Sequence, residues 1–241
     1  MRLRTSSKGF TLIELMIVIA VIAIIAAIAI PGLLSSQRAS NERSASTSLK
    51  TLTAAEADFR ANDRDGNKIN DFWTANISGL YTMTNAAITG NTANSTTDPS
   101  IKLIELSIAS ADADSEAITA SGENVVLSNF ALASPKSSHW YHALVSDANG
   151  VAPENVYRQD TGGVPTMGTV HNLWKFGFTC WPDSRNAGKF VFIIDENNTI
   201  FRSAVTGQVK PTLSSPPGIA AAPYDVYPNE VNLKSYWSKL D

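Results

Sequence analysis

Glu14 is the single charged side chain in a 21-residue apolar run, Phe10 to Ile30, that reads FTLIELMIVIAVIAIIAAIAI. A carboxylate among hydrocarbon side chains needs a partner, because removing a charge from water is costly unless it is paired. No Lys or Arg of the same segment lies within a turn of Glu14 on the apolar side. A cation from another chain would serve. Cleavage between Gly9 and Phe10 would create one, the new α-amino group of a neighbouring Phe10. The alternative is a carboxylate near the membrane interface that reaches to headgroups.

A second chemistry-bearing pattern is Asn62-Asp63-Arg64-Asp65-Gly66-Asn67-Lys68-Ile69-Asn70-Asp71. Oxygen side chains at Asp63, Asp65 and Asn67, with Asp71 beyond, resemble the first half of a calcium loop, and Gly66 permits a tight turn. Lys68 stands where an EF-hand needs glycine, and no bidentate Glu closes the loop. A polar turn capping a helix therefore stands ahead of calcium. His139 and His142 form HxxH around Trp140 and Tyr141, but no adjacent acid gives a zinc spacing. Cys180 lies in an apolar run between Thr179 and Trp181, where a buried, inert thiol is expected rather than a nucleophile. One cysteine makes no intrachain disulfide. With no glycine-rich phosphate loop and no nucleophile elbow, the chain reads as a non-enzyme. It calls for no cofactor unless calcium binds.

The elements that carry these residues follow from hydrophobic pattern. As a helix, Phe10 to Ile30 spans about 31 Å, the thickness of a bilayer's hydrocarbon core. A signal peptide's apolar region is shorter and ends at a small-residue cleavage site, and no such site is cleanly placed here. Arg2, Arg4 and Lys8 precede the run, so residues 1–9 stay on the cytoplasmic side. Their removal would take the formal charge from −3 to −6, which argues against a nucleic-acid-binding surface. Beyond Pro31-Gly32 the helical period resumes. Ala45, Leu49, Leu52 and Phe59 fall on one stripe, with Arg38, Glu42, Arg43, Lys50, Glu56 and Arg60 mostly off it. One helix is expected from about Phe10 to Ala61, apolar all round and then amphipathic.

The segment Lys8-Gly9-Phe10-Thr11-Leu12-Ile13-Glu14, with the apolar helix after it, resembles the class III leader of type IV pilins and of type II secretion pseudopilins. The resemblance covers residues 1 to about 60. It implies that a prepilin peptidase cuts after Gly9 and methylates Phe10. It implies that Glu14 neutralises the terminal amine of an adjacent subunit. It also implies that the helix-weakening pair Pro31-Gly32 lets Ala29 to Leu33 stretch on assembly. Without a resemblance, Pro31-Gly32 reads as a helix end and membrane-exit turn. The partners implied are further copies in a homo-oligomeric helical filament, the peptidase, an inner-membrane assembly platform and, before assembly, the membrane. The implied route runs from a single-pass inner-membrane protein with a cytoplasmic N-terminus to a periplasmic or extracellular filament. Pilin heads are often closed by a disulfide, which this chain cannot make. That departure leans toward a pseudopilin or a non-standard pilin.

The remainder reads as a sheet with long connections. Residues 84–100 form a Thr/Asn/Ala-rich surface excursion. Strands are expected at Lys102–Ile108, Asn124–Leu132, Lys175–Thr179 and Phe190–Ile194, with a hairpin turn at Asn197-Asn198 before Thr199–Arg202. Lys210 to Pro228 is Pro-rich and irregular, and the aromatics of the tail from Ser235 to Asp241 should dock it. The expected fold is α+β, a long helix packed on an antiparallel sheet. The expected organisation is leader 1–9, membrane and filament-core helix 10–31, amphipathic helix 32–61 and globular head 62–241. Two functions fit: a structural subunit of a type IV pilus or type II secretion pseudopilus, or a minor or tip pilin acting as an adhesion or DNA-binding module.

Overall fold

The computed structural model describes residues 9–64, 69–82, 102–113, 127, 131–149, 157, 171–184, 186–205 and 226–240. A single helix, α1 (Leu12–Asn62), runs for 51 residues and passes through Pro31 without interruption. It stops at Asp63, whose backbone turns left-handed (φ 45°) while its N–H returns to the Phe59 carbonyl. The expected stripe is the buried face: Ala45, Leu49, Leu52 and Phe59 are fully buried, joined by Ser48, Ala55 and Thr53.

Glu56 corrects the sequence reading. As a charged residue it is set off the stripe, yet its spacing of four from Leu52 and three from Phe59 places it on the stripe. It is fully buried, and its Oε2 accepts the Trp73 N–H at 3.0 Å. Burial pushes its carboxyl well above the usual range. The Trp73 amide pulls it back, and the nearby Asp71 charge adds to the rise.

After α1 come β1 (Phe72–Trp73), a 3₁₀ turn (Ser78–Tyr81) and the short α2 (Leu106–Ala109). Then follow β2 (His139–Ala143), β3 (Ser146–Asp147), β4 (His171–Asn172), β5 (Gly177–Pro182), β6 (Phe190–Asp195) and β7 (Ile200–Ala204). The chain closes with β8 (Val226–Tyr227), α3 (Glu230–Tyr236) and β9 (Ser238–Leu240). The main sheet has five strands in the order β2-β5-β6-β7-β9, every neighbouring pair antiparallel. β1 pairs antiparallel with β4, and β3 pairs parallel with β8.

Period-2 alternation along β5 and β6 supplies two cores. Phe178, Cys180, Phe192 and Ile194 point to α1 and join Leu49, Leu52 and Phe59. Trp181, Val191 and Ile193 point the other way and pack with Leu144, Tyr157, Tyr227 and Trp237. The sheet is therefore covered on both faces, as expected of strands with continuous apolar runs.

Several expected elements move. Lys102–Ile108 is not a strand: Leu106 to Ala109 are helical. Its buried residues Ile104 and Ile108 are spaced i, i+4, and Leu106, which strand alternation would bury with them, is only half buried. β5 begins at Gly177 rather than Lys175, because the Asn172 carboxamide accepts the Trp174 and Lys175 amides, both at 2.8 Å, and holds a turn there. The Asn197-Asn198 hairpin is present, with Asn198 at φ 57° and its N–H on the Asp195 carbonyl. The tail docks through buried Trp237 and by pairing β9 with β7, while Tyr236 stays exposed. Residues 84–100, nearly all of Asn124–Leu132 and most of Lys210–Pro228 lie outside the described residues.

His139 sits fully buried on β2, between the sheet and α1. Burial holds its imidazole below the ordinary range, while the Ser137 carbonyl and the Glu42 charge pull upward. A free histidine takes its proton near pH 6.5, so acid favours the unfolded chain below that pH. The full chain in detergent is expected to lose melting temperature between pH 7 and pH 5. His139→Gln should lose less over the same range, measured by tryptophan fluorescence; an equal loss would place the acid sensitivity elsewhere.

Candidate functional site

The N-terminal half of α1 is bare of contacts from the described head. Its most apolar 18-residue window has a mean hydropathy of 3.1 and none of it is buried. From Leu12 to Leu34 the large apolar side chains stand exposed on every side of the helix. Soluble monomers rarely expose apolar patches beyond a few hundred Å². This length of bare helix is suited to a bilayer or to other helices, because its backbone hydrogen bonds are satisfied internally. Pro31 removes one amide donor, leaving the carbonyl a turn earlier without its helical partner. At Gly32 nothing lies within 4 Å of where a side chain would start.

The start of the helix is a built structure. Thr11 is the N-cap, and its Oγ1 accepts the Glu14 amide at 3.3 Å. The Glu14 carboxylate reaches back, and its Oε2 accepts both the Thr11 N–H and the Thr11 hydroxyl at 2.8 Å. This reciprocal box satisfies amides that the first turn would leave bare. Glu14 thus has neutral partners within its own chain. Both bonds use Oε2, which leaves Oε1 outside the box for a second donor. Phe10 is 89% exposed. Among the described residues nothing beyond its chain neighbours lies within 4 Å of where a side chain on Gly9 would start. Sequence reasoning missed Thr11, although Thr-x-x-Glu before an apolar run is the box's own signature.

The C-terminal half of α1 is clamped to the head. Arg38 donates from Nε to the Asn186 carbonyl at 3.0 Å and from its terminal nitrogen to the Asn186 side chain at 3.2 Å. Asn41 donates to the Ala187 carbonyl at 3.1 Å. Glu42 accepts the Lys189 amide at 2.7 Å, and the Ser44 and Ser137 hydroxyls meet at 2.8 Å. Polar bonds thus tie α1 to the loop before β6 and the turn before β2, just above the apolar contact. Sequence reasoning placed Arg38 and Glu42 only off the stripe, since their partners lie about 147 residues away.

The other candidates separate. Asp63 caps α1, Asp71 is fully buried at the foot of β1, and Asp65 and Asn67 lie outside the described residues. Among the described residues no three His, Cys, Asp or Glu side chains converge as a metal-holding group. His139 and His142 are three apart on a strand, so their imidazoles point to opposite faces. Cys180 is fully buried in the helix-side core, and burial raises its thiol's pKa, which removes the thiolate a nucleophile requires.

Residues 4–30 match the family model of the prokaryotic N-terminal methylation motif. The chain is also 47% identical over 58 residues, 24% of its own length, to a type IV major pilin protein of Myxococcus xanthus. The match spans 26% of that relative. No solved structure matches the chain.

Thr11→Ala should open the first turn. Amide hydrogen exchange of the full chain in micelles is expected to quicken about fivefold at Glu14 and Leu15, the factor an ordinary N-cap loss carries. Exchange beyond Val18 should be unchanged. Unaltered rates at Glu14 would mean that the box does not hold the helix start.

Proposed function

Taking as premise that the N-terminal segment is that of the type IV pilin family, we propose that the chain is a filament subunit polymerised through α1. The observation that carries this reading is a helix bare over its first half and clamped to a folded head over its second. A prepilin peptidase cuts after Gly9 and methylates Phe10, and the subunit waits in the inner membrane with residues 1–9 in the cytoplasm. An assembly platform then withdraws it, and the exposed apolar face of α1 passes from lipid to the helices of other subunits. The filament is a type IV pilus rather than a type II secretion pseudopilus. The likeness to a major pilin supports that choice.

Glu14 sets the register. Cleavage between Gly9 and Phe10 leaves the Thr11 amide in place, so the box survives processing with the Glu14 carboxylate already oriented. Its Oε1 accepts the α-amino group of the Phe10 of a neighbouring copy. Once the packed helices exclude water, that pair is desolvated, and a missing partner leaves a buried charge uncompensated.

Gly9→Val is expected to leave the uncut precursor in the membrane, because a branched side chain crowds the scissile bond. Mass spectrometry of wild-type filaments should find N-methylated Phe10 as the first residue, and a mature terminus beyond residue 30 would overturn the reading. Glu14→Val should be cut and inserted as well as wild type but should yield few filaments. Immunoblots of sheared filaments against the membrane pool measure this, and a normal filament yield would remove the register role.

A further inference from the structure

Lys175 and Asp147 meet beside the second core. Asp147 ends β3, is buried, and pairs in register with Tyr227 of β8, a member of that core. Lys175 lies in the turn before β5, its backbone amide held by the Asn172 carboxamide at 2.8 Å. The Lys175 ammonium donates to Asp147 Oδ2 at 3.1 Å. The other oxygen, Oδ1, accepts the Asn149 backbone amide at 2.7 Å and the Asn149 side-chain amide at 2.9 Å. A third group, Glu196, follows β6 and interacts electrostatically with both. Burial raises its carboxyl above the usual range; its own backbone amide and the Lys175 charge pull it down, while Asp195 and Asp147 push it up.

The arrangement is more than an ion pair requires. The strand pairing of β3 and the Asn172 turn fix both backbones, so amine and carboxyl are held together as reactants of one molecule. The two N–H donors on Oδ1 stand where negative charge collects if the amine adds to the Asp147 carboxyl carbon. Oδ2, on the amine, is the oxygen that can leave. A neutral carboxyl at Glu196 can give a proton to that oxygen and take one from the nitrogen.

We propose that Lys175 and Asp147 join in an intramolecular isopeptide bond, with Glu196 as the proton shuttle. Nζ first passes a proton to Oδ2 across their hydrogen bond, which leaves a neutral amine beside a neutral acid. Nζ then adds to the Asp147 Cγ, and the charge on Oδ1 rests on the Asn149 donors. Glu196 gives its proton to Oδ2 and takes one from Nζ. The Cγ–Oδ2 bond breaks, one water leaves, and the amide remains. No oxidant or co-reactant enters. The bond ties β3 to the turn before β5 across 28 residues of chain, a covalent closure that one cysteine cannot supply.

The test uses the full chain made in cells without a prepilin peptidase, so neither cleavage nor methylation alters its mass and the result is independent of the filament reading. Intact-mass spectrometry of the chain purified in detergent should find it lighter than its sequence by one water. Protease digestion should yield a branched peptide that joins the Asp147 and Lys175 segments. A cyclic imide at Asp65-Gly66 would lose the same water, and the branched peptide distinguishes the two. Lys175→Arg keeps a cation for Asp147 but no nucleophilic amine, and Glu196→Gln keeps the shape without the acid. Both should fold, as followed by tryptophan fluorescence, and both should show their full sequence mass. Full mass and no branched peptide in folded wild type would overturn the proposal. A branched peptide in Glu196→Gln equal to that of wild type would overturn the shuttle role.

Discussion

The structure depends on α1 remaining one helix while its surroundings change along its length. Over its first half no side chain of the described head covers it, and its peptide groups bond to one another. A helix is the one single-segment conformation that hides those groups without help. Over its second half the same helix must present a narrow apolar stripe to a sheet, with Leu49, Leu52 and Phe59 in full contact. No loop separates the two regimes. The change is written in side chains alone, from Ile and Ala on all sides to a stripe flanked by Arg38, Asn41 and Glu42. Pro31 sits at the boundary, where the loss of one amide donor weakens the rod least consequentially for the head.

That continuity constrains the head. A rod about 77 Å long would act as a lever on whatever holds its end, so the attachment combines apolar burial with directional bonds. The apolar contact resists separation but slides readily. The Arg38–Asn186, Asn41–Ala187 and Glu42–Lys189 bonds fix the helix along and about its axis. The sheet beneath is stiffened from its far side by the second core of Trp181, Tyr157, Tyr227 and Trp237. Its last strand, β9, is only three residues long and carries the exposed Lys239. Both features discourage edge-to-edge pairing between heads at that edge.

The sequence discloses α1 and its stripe because local period alone specifies them. The β6–β7 hairpin is legible for the same reason, since apolar runs flank an Asn-Asn turn. What stayed hidden depends on distant partners. β2 escaped notice because His139, Tyr141, His142 and Ala143 are all buried, so no polar face marks the strand. Lys102–Ile108 misled because its Leu and Ile spacing satisfies both a strand and a single helical turn. Glu56 read as solvated because acids usually are. Only the fold shows the Trp73 amide approaching from 17 residues away. Thr11 was within reach of local reasoning, since the capping-box spacing is a sequence property.

The two unusual glutamates of α1 solve related problems in opposite order. Glu14 is exposed in the free chain, and its Oε2 bonds to Thr11 fix its direction before any partner arrives. In the proposed filament its environment loses water later, when other helices close round it. An acid so placed costs little until assembly and much afterwards if unpaired, which favours a subunit that enters the filament only in register. Glu56 is desolvated when the head folds on the helix, and that burial raises its carboxyl's pKa, which favours the neutral acid. In each case one carboxylate oxygen accepts a backbone amide, while Oε1 of Glu56 has no hydrogen-bond partner among the described residues and Oε1 of Glu14 lies outside its capping box. The amide fixes where the side chain points, and the unspent oxygen determines the charge it can accept. For Glu14, in the proposed filament, that charge is the Phe10 amine of another copy.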